Sequence, residues 1–231
     1  MDAIDISMIE IKNLVKTFKD GPLETRVLKG IDFVVKNGEF VAIMGRSGAG
    51  KSTLLYQVSL LDEPTSGEIR INGKETHAMT EHEKMLFRLA EFGYVFQDYA
   101  LLPELTALEN VALPLYMQGA SRAAADAKAA AALERVGLGK RLGNLPSQLS
   151  GGEQQRVSIS RAIAHTPDVL FADEPTANLD KESSATVMSI FRELHEGGQT
   201  IIMVTHEDEF AQFAERIVKL DDGKIISDTR L

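Results

Sequence analysis

The 231-residue sequence contains no cysteine. Disulfides, thiolate chemistry and Cys-based zinc sites are therefore excluded, and the chain suits a reducing compartment. A basic excess is also missing: 25 Lys and Arg stand against 34 Asp and Glu, for a net charge of -9. A non-specific nucleic-acid binder presents a basic field, so the balance argues against that class and reads as plain solubility. Long hydrophobic runs are absent too. Stretches such as Phe40 to Met44 and Ile201 to Val204 fall far short of the ~20 residues that span a bilayer. The opening MDAIDISMIEI has neither the basic stretch nor the apolar core of a signal peptide, and no lipidation pattern shows at either end. The expectation is a chain that is soluble alone and does not insert into a membrane. Its 44% hydrophobic and 26% charged content suits one large domain that buries a full core without staples.

Apolar, β-branched stretches predict strands at Met8–Val15, Val27–Val35 and Phe40–Met44, with Gly21-Pro22 and Asn37-Gly38 as turns. A short strand over Gly67–Gly73 ends in Asn72-Gly73. Thr80 to Glu83 form a capping box opening a helix to about Phe92, and Gly93–Phe96 follow as a brief strand. From Leu105 to Ala164 the signals are helical, and Ala123–Val136 reads as a solvated helix with one packed face. Two buried-type strands, Val169–Ala172 and Thr200–Val204, flank a helix near Ser183–Leu194. Continuous apolar strands alternating with helices predict a parallel sheet covered on both faces. No internal repeat or long linker is visible.

Gly45-Arg-Ser-Gly-Ala-Gly50-Lys51-Ser52 fits Gly-x-x-x-x-Gly-Lys-Ser/Thr between a strand and a helical run from Thr53, the context that the pattern requires. Its glycines let backbone N–H groups wrap phosphate oxygens, and the helix adds its positive end. Lys51 is expected at the β- and γ-phosphates and the Ser52 hydroxyl at a Mg²⁺. The apolar strand Val169–Ala172 ends in two carboxylates. Beside the loop strand, Asp173 reaches the Mg²⁺ and Glu174 an attacking water that it can orient and deprotonate.

Leu149-Ser-Gly-Gly-Glu-Gln-Gln-Arg156 starts another helix with a hydroxyl and bare N–H groups. Taken physically it is either an ordinary Ser-capped helix or a second anion cradle. As Lys51 already serves the γ-phosphate of this chain's own nucleotide, a second cradle suits a neighbouring molecule's nucleotide.

This segment resembles the signature motif of ATP-binding cassette (ABC) ATPases. The rest of that family's set follows in order: Gly45–Ser52, Gln97, Asp173-Glu174, Asn178-Leu179-Asp180 and His206. The similarity covers about Ile9 to Gly223. It implies an α/β fold with a RecA-like P-loop core, an antiparallel β subdomain and an inserted α-helical subdomain. The whole of 1–231 is then one nucleotide-binding domain, with 1–97 and 165–231 forming the β subdomain plus ATP-binding core and 98–164 the helical signature subdomain. It further implies ATP and Mg²⁺ as ligands. Phe18 stacks on adenine where many relatives have tyrosine. Gly45, Ser47, Gly48, Gly50, Lys51, Ser52 and Thr53 hold the phosphates. Ser150, Gly151 and Gly152 hold the partner subunit's γ-phosphate. Gln97 touches Mg²⁺ or the attacking water, Asp180 lies across the dimer interface, and His206 bonds the γ-phosphate and steadies Glu174 and the water. Arg46 and Ala49 stand where relatives usually have proline and often serine, both at variable positions. His77, His82, His165 and His195 lack metal-ligand spacing and are expected at the surface.

The run Gln97 to Leu115 is similar to the branch of macrolide exporters, lipoprotein-release ATPases and the cell-division ATPase. That implies a homodimer on a separate transmembrane permease, whose coupling helix docks around Gln97–Asn110, in an export or extraction complex. The protein is then cytoplasmic and peripheral on the inner face of the cell membrane. Alternatives are an ATP-gated regulatory partner without transport, as in cell division, and a nucleic-acid or ribosome-acting relative. The latter is disfavoured by the acidic charge and the lack of coiled-coil or zinc insertions.

Overall fold

A computed structural model describes residues 7–231. The first six, on which part of the reading for a leader rests, lie outside the described residues. The chain divides into two compact units, Met1–Met85 with Gly198–Leu231, and Leu86–Gly197.

The first unit opens on a long hairpin. Strands β1 (Ser7–Asp20) and β2 (Leu23–Lys36) pair antiparallel around Gly21-Pro22. Both are longer than the apolar stretches predict, because cross-strand pairing carries the ladder past Val15 into exposed, polar sequence. Strand β4 (Ser66–Ile71) pairs with β1, and a two-residue β5 (Lys74–Glu75) with β4, giving the order β2-β1-β4-β5. Asn72 and Gly73 join them with φ of 50° and 73°, the doubly left-handed geometry of a hairpin turn.

In the same unit β3 (Phe40–Met44) lies between β8 (Thr200–Val204) and β9 (Arg216–Asp221) and runs parallel to both. The antiparallel β10 (Lys224–Arg230) pairs with β9. Every residue of β3 and β8 is buried, which explains their unbroken apolar sequences. Helix α1 (Lys51–Val58) follows β3, and the short α7 (Asp208–Ala211) follows β8. Neither β9 nor β10 was anticipated, since their sequences mix charge with aliphatics.

Helix α2 (Glu81–Glu91) opens with the predicted box: Glu83 N–H donates to Thr80 Oγ1 (3.2 Å) and Thr80 N–H to Glu83 Oε2 (2.7 Å). In the second unit β6 (Phe92–Val95) and the wholly buried β7 (Val169–Asp173) pair parallel. Phe92 meets Phe171 edge-on at 5.0 Å and Phe87 at 5.3 Å. Such contacts add ~0.5–1.5 kcal/mol each beyond burial. Helices α3 (Ala107–Met117), α4 (Arg122–Arg135), α5 (Gly151–Ile163) and α6 (Lys181–Glu196) complete the unit.

The alanine-rich helix buries Ala125, Ala129, Ala132 and Leu133, the single packed face that was expected. The helical reading of 105–164 fails over 136–149, which is turns and one 3-10 turn, Pro146–Gln148. Gly137, Gly139, Gly143 and Pro146 break the helix there, and Ala107 and Leu108 N–H groups take up the carbonyls of Asn144 and Leu142.

Candidate nucleotide site

In the first unit, β3 and β8 pair in parallel with Ile43 opposite Val204, and Thr205 N–H donates to Ile43 O (3.1 Å). The 45–50 loop and His206 therefore leave the carboxyl ends of neighbouring strands, where ligands of open α/β sheets bind. His206 is exposed. The loop ends at Gly50, whose φ of 99° needs glycine; a Cβ there would also lie 3.0 Å from Leu28 Cδ2. A Cβ on Gly45 would lie 2.3 Å from Leu220 O.

Helix α1 starts at Lys51, two residues before the expected Thr53. It has no side-chain cap and no acid in its first turn. Its positive dipole end thus faces the loop with no carboxylate from the helix's own first turn to offset it. Lys51 is only 6% exposed and its ammonium donates to Gly45 O (3.0 Å) and Arg46 O (3.2 Å), inside the curve of the loop. Ser47 and Gly48 form the exposed tip, while Ser52 and Thr53 are half-buried on α1. An ammonium, a helix start without a side-chain cap and a hydroxyl fit a phosphate tail with its Mg²⁺.

Phe18 sits on β1 opposite Thr25, with 47% of its surface exposed. The Lys16 ammonium lies 5.0 Å from its ring centre and is held by Asp62 (2.7 Å) and Glu63 O (2.6 Å). Sequence reasoning missed Gly223. Its N–H donates to Ala49 O (3.2 Å), its carbonyl accepts from Lys29 N–H (2.9 Å), and a Cβ would lie 2.1 Å from Val27 O. The β9–β10 turn thus clasps the back of the loop, and Asp222-Gly223, a hairpin dipeptide, was the available signal.

The second unit gathers the other predicted residues. Asp173, 6% exposed, ends β7. Glu174 follows, half-buried with φ of 45°, a left-handed non-glycine residue that costs ~1–3 kcal/mol and recurs at functional sites. Fully buried Gln155 of α5 donates to Pro175 O (2.7 Å) and more distantly to Phe96 O (3.4 Å). Asn178 Nδ2 donates to Gln97 O (3.0 Å). The loop of Gln97 and the turn after Glu174 are therefore tied to each other and to α5. Gln97 itself is exposed.

Ser150 caps α5: its Oγ accepts from Glu153 N–H (3.2 Å), and Glu153 accepts from Ser150 N–H (2.9 Å). That backbone bond, with Arg141 at 3.0 Å, holds the Glu153 carboxyl below its ordinary range. The Ser150 hydroxyl keeps a hydrogen to donate. Gly152 and Gly151 leave room for neighbours: a Cβ would lie 2.5 Å from Ser183 Oγ at the first and 2.9 Å from Tyr99 Oη at the second. Helix α6 starts two residues earlier than Ser183 because Asp180 caps it, accepting from Ser183 N–H (2.9 Å) and Ser183 Oγ (2.8 Å). These bonds hold the Asp180 carboxyl below its ordinary range. The signature glycines, Gln97 loop and Asp180 turn form one cluster.

His77 and His82 are exposed as expected, but His165 and His195 are half-buried. His165 Nε2 lies 3.0 Å from Phe92 O, and burial pushes its pKa down. For His165 this backbone partner on β6 accounts for the difference, since a polar ring with one backbone partner tolerates partial burial.

A family model described as ABC transporter matches residues 28–177. The chain is 50% identical over 219 residues to an uncharacterized ABC transporter ATP-binding protein of Methanocaldococcus jannaschii, covering 95% of this chain and 98% of that one. It is 50% identical over 202 residues to the lipoprotein-releasing system ATP-binding protein LolD of Aquifex aeolicus, covering 87% and 90%. Against the macrolide export ATP-binding/permease protein MacB of Aggregatibacter actinomycetemcomitans it is 48% identical over 225 residues; that covers 97% of this chain but only 35% of MacB. The solved dimeric ATP-binding cassette MJ0796 bound to ADP and Pi superposes with a TM-score of 0.91 at 40% identity, covering 97% of this chain and 99% of that one. The fold is accordingly the RecA-like P-loop cassette with an antiparallel β part and inserted helices. This chain belongs to the ABC transporter family, as a cassette that binds ATP with Mg²⁺ and hydrolyses it.

Proposed function

We propose that two copies of the chain close around two Mg-ATP molecules and drive a separate membrane permease in export or extraction. Each nucleotide is held by the Lys51 loop of one chain and the Ser150 helix start of the other. The observation that carries this reading is the pair of helix starts suited to anions in a single chain. Helix α1 has no side-chain cap, and α5 has a Ser150 hydroxyl with a hydrogen left for an acceptor. One chain needs only one grip on its own γ-phosphate, so the second serves a copy.

Phe18 stacks on the base, and Lys51 with the Gly45–Thr53 backbone takes the phosphates. Ser52, Gln97 and Asp173 surround the Mg²⁺. Glu174 holds and deprotonates the attacking water, and His206 fixes both. Asp180 lies at the interface between copies. The helical segment 98–164 presents Ser150, and the surface around Gln97–Asn110 takes the permease. The dimeric state of the solved MJ0796 cassette and the names of LolD and MacB support this assembly. Among the described residues no helix is long and apolar enough to cross a membrane. Attachment to the inner face of the cell membrane then runs through the partner.

Mixing two inactive variants tests the two-chain grip. Lys51→Ala lacks one half and Ser150→Arg the other, so each hydrolyses no ATP alone. A mixed pair carries one complete site, and an equimolar mixture regains up to roughly a quarter of parent turnover, as expected of a symmetric dimer. A mixture that stays as inactive as its components places both halves in one chain.

A further inference from the structure

The loop after Gln97 holds two successive non-glycine residues in left-handed backbone, Tyr99 at φ 65° and Ala100 at φ 48°. Side chains disfavour that region, and two in a row relax unless surrounding structure holds them. Local bonds are few: Tyr99 N–H donates to Phe96 O (3.3 Å) and Ala100 N–H to Asp98 O (2.7 Å). The stronger hold comes from the last turn of α5. Arg161 donates Nη2 to Tyr99 O (2.9 Å) and Nη1 to Ala100 O (2.5 Å), so the guanidinium fork takes both strained carbonyls at once. Burial disfavours its charge, and Asp98 is the acid that offsets this. On its other side the loop touches the start of α5, through Tyr99 Oη donating to Asn178 O (3.4 Å) beside Gly151.

One helix therefore carries Ser150 as its N-cap and Arg161 in its last turn, about 16 Å apart by helical rise. We infer that Arg161 is a positioning residue: its two bonds hold the Tyr99–Ala100 backbone in the strained shape that sets Gln97, linking the Ser150 end of α5 to that loop. A lysine supplies a point charge instead of a fork and takes one carbonyl well. The inference rests on the reading of Gln97 given above.

The test uses the full chain and measures ATP kcat, KM and melting temperature. Gln97→Ala slows hydrolysis at least about tenfold if that reading holds; parent-rate hydrolysis removes the basis of the inference. Arg161→Met lowers kcat about tenfold with KM within about twofold, and adds little to Gln97→Ala because both act on one element. Arg161→Lys falls between Arg161→Met and the parent, and serves if the methionine variant does not fold. Ala100→Gly alone is the reference for the double variants, since glycine adopts the left-handed region without strain. Placed in the Arg161→Met or Arg161→Lys background, it restores kcat at least about threefold while the melting temperature stays low. A merely structural arginine predicts otherwise. Equal losses of kcat and stability without recovery by Ala100→Gly, or a folded Arg161→Met at parent kcat, overturn the inference.

Discussion

Replacing Gln155 with leucine probes how the loops of Gln97 and Glu174 are held. Gln155 is wholly buried, and its amide donates to Pro175 O at 2.7 Å and Phe96 O at 3.4 Å. Leucine is close in size, so little cavity forms. The Pro175 carbonyl loses a buried donor, which costs ~1–3 kcal/mol. The Phe96 bond is at the limit of hydrogen-bond length and counts for little. Against this, leucine removes Gln155 Oε1, a buried atom without a hydrogen-bond partner among the described residues, recovering ~1 kcal/mol. The net loss is at most about 2 kcal/mol, or a fall of up to about 8 °C in melting temperature for a domain of this size. Pro175 follows Glu174, and Phe96 precedes Gln97. A shift of ~1 Å there costs up to ~100-fold in rate, so kcat falls well beyond what the stability loss explains. Calorimetry and steady-state hydrolysis check both, with Gln154→Leu on the same helix as control. Parent melting temperature and parent kcat together refute the tether.

Gly93→Ala places a Cβ 2.3 Å from Ala162 O and 3.0 Å from Leu170 Cδ1, forcing β6 from α5 at ~1–3 kcal/mol. Gly139→Ala, with nothing nearer than 3.6 Å, leaves the melting temperature unchanged. The His165 pKa is lowered by burial from its ordinary 6.5. The unfolded chain therefore takes up that proton first as pH falls, so stability is intact above about 6.5 and declines from there toward the folded pKa. Melting temperatures between about pH 7.5 and 5.5 should drop more steeply for the parent than for His165→Gln; equal slopes refute the assignment. Ser150→Arg leaves nucleotide binding to the single chain near parent strength by titration calorimetry and stops hydrolysis. Loss of binding moves Ser150 to its own chain's nucleotide.

The strands that matter most were legible because both faces are buried: Phe40–Met44 and Thr200–Val204 appear in the structure with the predicted bounds. The strand–loop–helix context of Gly45–Ser52 was equally legible, since the glycine spacing encodes backbone shape directly. Ser150 read correctly as a helix start, yet the sequence left open whether the cap does more. What escaped was long-range. Gly223 clasps the loop from about 170 residues away, and Gln155 and Arg161 act through backbone carbonyls, which leave no side-chain pattern to read. The turns over 136–149 escaped because alanine and leucine dominate their surroundings, while scattered glycines and one proline decide the backbone. The exposed halves of β1 and β2 owe their form to pairing rather than propensity.

Light scattering on the Glu174→Gln variant tests the account most directly. That variant keeps the proposed phosphate grips and lacks the carboxylate proposed as the base, so with Mg-ATP the mass should rise from the monomer's 25.3 kDa to a stable dimer, and adding Ser150→Arg should return it to the monomer. A Glu174→Gln chain that stays single at saturating Mg-ATP, or cleaves ATP at the parent rate, contradicts the shared grip.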